Sequence, residues 1–260
     1  MRILVNGEII SNDYKWLYDW FELESTCPQD IRTALDQNPD GEPLELEINS
    51  PGGSVFAGFE IYNLLRSAKC ETVAEVLSLA GSAASTIMAA CRTVKVSPVA
   101  QVMIHLPTTG TYGNNLDHQQ SLQMLESVTE SILNSYEGKV NGKTSRDELR
   151  KMMENETWLT ASRAVELGLA DEILYQDELG SIPDIFRNSV GATIRNAAGG
   201  HDPKQMLAEY QKLVRDGKRQ AADGHPVTNL AESDPTGEEP DNHNEDNLWL
   251  DEARALLAEY

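Results

Sequence analysis

Cysteine is scarce in this chain: Cys27, Cys70 and Cys91 are the only three in 260 residues. They are widely spaced and odd in number, with no Cys-X-X-Cys pair. That argues against a zinc knuckle or a disulfide framework and makes a reducing, cytoplasmic setting the expectation. Positive charge is also short, with 21 Lys and Arg against 42 Asp and Glu and a formal net charge of −21. Nucleic-acid backbones and anionic membrane surfaces repel such a chain, so neither is an expected partner. Long apolar runs are missing. The least polar stretch, Leu77 to Cys91, carries four serines and threonines, so no membrane span is expected. The start, Met1-Arg2-Ile3-Leu4-Val5-Asn6-Gly7, turns polar too early for a secretory leader. Aromatics make up 6% of the chain, and Tyr14, Trp16, Tyr18, Trp20 and Phe21 gather in one short segment, read here as a packing layer.

What remains is 40% hydrophobic, enough for one sizeable core with an appendage. Arg2 to Ile9 reads as a strand with a turn at Asn6-Gly7, and Pro28 opens a helix running to about Gln37. Leu44 to Asn49 alternates as a half-buried strand and runs into Ser50-Pro51-Gly52-Gly53, after which Ser54 to Ala68 has helical spacing. A second strand-turn-helix unit follows, with Glu71 to Leu79 as strand and Ser82 to Cys91 as helix. Thr93 to Val96 and Val99 to His105 are further strands. Repetition of this order predicts an α/β fold with a largely parallel sheet. Leu116 to Val140 predicts a long helix whose stripe of Leu122, Leu125, Val128, Ile132 and Tyr136 faces the core, with length enough to project and pair with another subunit. Ser145-Arg146-Asp147-Glu148 opens a short helix to about Met153. Thr160 caps another to Leu167, closed by Gly168, and Asp171 to Tyr175 is a last strand. A linker is expected at Gly199 to Pro203 and a helix from Gln205 to Ala221. From Gln220 to Tyr260 eleven acidic residues face Arg254 alone, the pattern of an extended, solvated segment.

Three features carry chemistry together. The small-residue stretch Gly81-Ser82-Ala83-Ala84-Ser85-Thr86 turns a strand into a helix and presents a serine near the helix N-terminus, read as Ser85. His105 closes a strand and titrates in the range needed to take a hydroxyl proton. Gly52-Gly53 offers backbone N–H groups with no side chains in the way, as a developing oxyanion requires.

These stretches, Asn49-Ser50-Pro51-Gly52-Gly53-Ser54-Val55, Gly81-Ser82-Ala83-Ala84-Ser85, Met103-Ile104-His105-Leu106-Pro107 and Trp158-Leu159-Thr160-Ala161 through Gly168-Leu169-Ala170-Asp171, stand in the order found in the ClpP serine peptidases. The chain resembles that family over about Ile3 to Tyr175, and within it the ClpP-like head maturation (prohead) proteases of phages and prophages. The resemblance implies a ClpP/crotonase fold of repeated β-β-α units with a projecting handle helix, matched in position by Leu116 to Val140. It implies Ser85 as nucleophile, His105 as general base and Glu156 as third triad member, in the place where the family has aspartate. It also implies an oxyanion hole from the amides of Gly53 and Thr86, and no metal or cofactor. A homo-oligomeric ring acting on protein or peptide substrates follows, with phage capsid or scaffold proteins as candidate partners. Residues 1–186 would form the protease domain and 187–260 an acidic, scaffold-like extension. The alternatives are a housekeeping Clp subunit working with an ATP-dependent unfoldase, and a scaffold or assembly protein without proteolysis. A crotonase-type acyl-CoA enzyme is disfavoured by the simultaneous presence of a serine and a histidine.

Overall fold

The computed structural model describes residues 1–175, 201–216, 218, 219, 222, 224 and 225. The chain divides into two compact units, Met1–Gly200 and His201–Tyr260. The expected boundary after residue 186 and the acidic segment beyond residue 225 lie outside the described residues.

In the first unit the chain runs β1 (Arg2–Ile9), α1 (Lys15–Phe21), β2 (Ser25–Thr26), α2 (Pro28–Gln37), β3 (Leu44–Gly53), α3 (Val55–Ser67) and β4 (Thr72–Gly81). It continues through α4 (Ala83–Ala90), β5 (Thr93–Val96), β6 (Gln101–Ile104), α5 (Asn115–Val140), α6 (Arg146–Glu154), β7 (Thr157–Thr160), α7 (Ala161–Leu167) and β8 (Glu172–Ile173). The strands form one sheet in the order β2-β1-β3-β4-β5-β8, with β6 pairing β4 and β7 off that path. Every pairing is parallel except that of β6 with β7. This is the mixed α/β architecture expected of the ClpP fold.

Strand alternation sets the core. In β3, Leu44, Leu46 and Ile48 are fully buried while Glu45 and Glu47 face outward, as a period of two requires. On that outward face Glu47 stands opposite Glu75, Glu75 opposite Lys95, and Lys95 opposite Glu172. Arg2 answers the excess of acid with ion pairs to Glu45 and Glu47.

β4 forks the sheet. Its first half, Val73 to Val76, pairs with β5, and its last residues, Leu79 to Gly81, pair with β6. The end of β4 is therefore flanked by β6 on one side and by the end of β3, through Ser50 opposite Ala80, on the other. Carboxyl ends of parallel strands are where open α/β sheets place their sites. α4 leaves from this point and is buried along its whole length, which explains why it is built of Ala, Ser, Thr, Ile and Met.

Three sequence expectations change. β3 extends through Ser50-Pro51-Gly52-Gly53 rather than stopping at Asn49, because the bulged register with β1 absorbs the Pro-Gly-Gly geometry. Asn6-Gly7 likewise lies inside β1, at that same register shift, and is not a turn. The α5 stripe is divided: Val128, Ile132 and Tyr136 are buried, but Leu122 is 66% exposed and Leu116 60%, so the first half of the helix stands clear of this unit's core. Of the aromatic segment, Leu17 and Tyr18 are buried, and the Tyr18 hydroxyl donates to Glu8.

In the second unit α8 (Pro203–Arg215) is capped by the Asp202 carboxylate and buries Met206 and Tyr210. The Tyr210 hydroxyl donates to the His225 carbonyl. The helix ends at Arg215, short of the expected Ala221.

Candidate active site

The strand-to-helix turn between β4 and α4 is made by one residue. Ser82 has φ 50° and ψ −122°, the left-handed side of the map that L-residues with a Cβ rarely visit. Such strain persists only where the surroundings hold it. Here the Ser82 N–H donates to the Met103 carbonyl at 2.9 Å, tying the turn to β6. The Ser82 carbonyl accepts from the N–H groups of Ser85 at 2.9 Å and Thr86 at 3.3 Å. From behind, Gly52 (φ 103°) approaches so closely that a Cβ there would stand 2.6 Å from the Ser82 Cβ and 2.9 Å from the Ala83 nitrogen. Ser50 fixes that glycine: its hydroxyl donates to the Gly7 carbonyl and accepts from the Gly52 N–H.

The bond from Ser82 to Met103 places the serine beside the residues that follow β6. His105 Nε2 lies 2.7 Å from Ser82 Oγ. The imidazole is half-buried, and burial lowers its pKa below the ordinary histidine value, with the Glu156 charge partly offsetting that effect. The ring is thereby biased to its neutral form, the one able to accept a proton. Glu156 reaches the site through the antiparallel pairing of β6 with β7. Gln101 faces Thr160 and Ile104 faces Thr157, and the same register continued by one residue sets Glu156 opposite His105. The corner is knotted by the Met153 carbonyl, which accepts from both Leu106 and Glu156 N–H groups. Glu156 is exposed, has φ 44°, and its carboxylate accepts from Trp158 Nε1 at 3.4 Å. Among the described residues it makes no hydrogen bond to His105.

The expected pairing of Ser85 with His105 is not made. Ser85 lies one turn inside α4, fully buried. Its hydroxyl sits 2.6 Å from the Ser82 carbonyl and 2.7 Å from the Tyr136 hydroxyl. Thr86 of the same helix lines the cleft beside His105, whereas Ser85 does not. The expected donor at Thr86 is likewise engaged, its N–H being bound to the Ser82 carbonyl. The N–H of Ala83, first residue of α4, has no partner within its helix. The contact of Ser82 with His105 had a signal in the sequence: Ser82 follows directly on the strand's last residue, Gly81, where the chain turns sharply into α4. The shallow cleft in front of Ser82 and His105 is lined by Val55, Phe59, Thr86, Pro107, Ile132 and Tyr136, an apolar wall beside a polar pair.

A family model described as Clp protease matches residues 27–177. The chain belongs to the Clp protease family. This is a family of serine-type peptidases, and the matched region contains Ser82, His105 and Glu156. The ATP-dependent Clp protease proteolytic subunit of Porphyromonas gingivalis is 31% identical over 145 residues, covering 54% of this chain and 63% of that protein. The corresponding subunit of Bacteroides fragilis is 32% identical over 145 residues, 54% of this chain and 68% of that protein. ATP-dependent Clp protease proteolytic subunit 3 of Parasynechococcus marenigrum is 32% identical over 147 residues, 54% and 70% of the two chains. The chain thus spans about two thirds of the length of the Clp subunits it matches. Among the described residues no helix is long and apolar enough to cross a membrane, and no group of three His, Cys, Asp or Glu side chains is placed to hold a metal ion.

Proposed function

We propose that the chain is a serine endopeptidase whose nucleophile is Ser82. The observation that carries this reading is the 2.7 Å contact of Ser82 Oγ with His105 Nε2 at a strained strand-to-helix turn. Neutral His105 takes the Ser82 proton on Nε2 as Oγ attacks the peptide carbonyl, then returns it to the leaving amine. Water repeats the two transfers on the acyl-enzyme. The Ala83 N–H supports one side of the oxyanion. The Gly53 N–H supports the other, at the end of β3 where Gly52 packs against the Ser82 turn. Glu156 steadies the imidazolium by charge across the β6–β7 register. The apolar cleft wall favours an apolar side chain next to the scissile bond.

The test is labelling with a fluorophosphonate probe followed by peptide mapping. The adduct is expected on Ser82, absent in Ser82→Ala and retained in Ser85→Ala. An adduct on Ser85, or labelling that survives Ser82→Ala, would refute the assignment.

In the cell, the reading extends to a homo-oligomeric ring that processes phage capsid or scaffold proteins during head maturation. It is supported by the acidic stretch after residue 220 and by the exposed first half of α5, with Leu116, Leu122 and Met124 available for packing. A housekeeping role with an ATP-driven unfoldase is favoured instead by the similarity to ATP-dependent Clp subunits. Light scattering tests the ring, for which a monomer is the refuting result. Cleavage of scaffold protein without nucleotide separates the first role from the second.

A further inference from the structure

The peptide that joins Ser82 to Ala83 carries both the carbonyl on which three donors converge and the N–H assigned above to the oxyanion. Two of the three donors are helix amides, from Ser85 and Thr86. The third is the Ser85 hydroxyl, 2.6 Å from the carbonyl oxygen. That hydroxyl has one proton, and the carbonyl takes it, so the 2.7 Å contact with Tyr136 must run from the Tyr136 O–H to Ser85 Oγ. Ser85 is 0% exposed and Tyr136 1% exposed, so water does not compete with either bond. The result is an ordered relay: Tyr136 O–H to Ser85 O–H to Ser82 C=O, ending in the Ala83 N–H on the far side of the same planar peptide.

We infer that Ser85 and Tyr136 are positioning residues for the oxyanion hole, a role that rests on Ser82 being the nucleophile. Two physical effects carry it. A trans peptide is planar, so holding the carbonyl oxygen fixes the direction of the N–H opposite it. Hydrogen bonds in a chain also polarise one another, so a donor on the carbonyl strengthens the N–H of the same peptide as a donor. The relay works where it is needed, since Ser82 sits at φ 50° and its peptide would relax if the carbonyl were released. It also gives α5 a purpose in the chemistry. Tyr136 is where that long helix reaches α4 at Ser85 through a polar bond.

The test uses the full-length chain and the fluorophosphonate labelling rate constant, measured across pH, beside thermal unfolding. Ser85→Ala is expected to label about tenfold more slowly, on the scale of a typical net hydrogen bond. The plateau is expected to fall while the pH midpoint set by His105 stays in place. Tyr136→Phe is expected to slow labelling two- to fourfold. In the Ser85→Ala background, Tyr136→Phe is expected to change the labelling rate no further, because the Tyr136 hydroxyl acts on the Ser82 carbonyl only through Ser85. Ser85→Thr, which keeps the hydroxyl, restores most of the rate. Labelling of Ser85→Ala at the wild-type rate, or a further loss on adding Tyr136→Phe to it, overturns the relay and leaves Ser82 as nucleophile untouched. Labelling of Ser82→Ala overturns both.

Discussion

Gly52 is the sharpest place to perturb the site without touching a reacting atom. Gly52→Ala would put a Cβ 2.6 Å from the Ser82 Cβ, 2.7 Å from the Gly81 carbonyl oxygen and 2.9 Å from the Ala83 nitrogen. None of these atoms belongs to a flexible side-chain end, so relief requires moving the nucleophile turn itself by roughly 0.5–1 Å from sites where contacts near 3.5 Å are ordinary. The backbone also sits at φ 103°, which costs an alanine on the order of 1–3 kcal/mol. A displacement of about 1 Å at a reacting group can lower a rate by about 10². Gly52→Ala is therefore expected to fold with a reduced melting temperature and to label with fluorophosphonate about a hundredfold more slowly. The control is Gly41→Ala, at φ 82° with nothing within 4 Å of the added methyl. It carries the backbone strain alone and is expected to lose stability with no loss of labelling rate. Differential scanning fluorimetry and labelling kinetics on the three proteins decide the matter. A wild-type rate for Gly52→Ala would show that the turn is not braced from this side and would refute the reasoning.

Labelling is expected to rise with pH through a midpoint below the ordinary histidine value, because burial favours neutral His105. Glu156→Gln removes the opposing charge and is expected to move that midpoint further down, which a pH–rate profile checks. The same lowered value means that His105 contributes full stability above the ordinary histidine range, lost as pH falls through the folded value. Lys139 is 7% exposed and binds the Cys91 and Arg92 carbonyls and the Asp171 carboxylate. Lys139→Met is expected to cost about 1–3 kcal/mol, read as a melting point lower by several degrees. Burial pushes the Cys91 thiol up to about 12, so iodoacetamide at pH 8 is expected to alkylate half-exposed Cys70 first and Cys91 only after denaturation, as mass spectrometry would show.

Much of the fold was legible in the chain because local rules and tertiary packing agree there. α2 begins at Pro28 and α3 is capped by Ser54, each where a helix-start signal stands. β7 escaped notice because Thr157 to Thr160 is four residues long and lies between two helices. Its identity as a strand comes from pairing with β6, a long-range fact that no four-residue window contains. The same holds for β2, whose two residues are strand only because β1 lies beside them. The division of the α5 stripe was hidden for a different reason. Leu122 and Val128 share one helical periodicity, and only the extent of the neighbouring α4 and α6 determines where cover ends.

Ser82 and Ser85 show why a site can be legible in the sequence while the hydroxyl that meets its histidine is not. Both serines flank Ala83-Ala84, three residues apart, and residues at that spacing share a face of a helix. They would point the same way if both were helical. They are not, because Ser82 has left the helix for φ 50° while Ser85 keeps helical geometry. One dihedral angle separates a hydroxyl beside His105 from one sealed against Tyr136. That angle is imposed from outside the stretch: Gly52 behind it leaves no room for a bulkier path, and the Met103 carbonyl holds its N–H. Motif order locates the turn because the glycines and the histidine are themselves part of the sequence. The serine that faces the histidine is fixed by contacts between segments some 20 to 30 residues apart, where composition and period are silent.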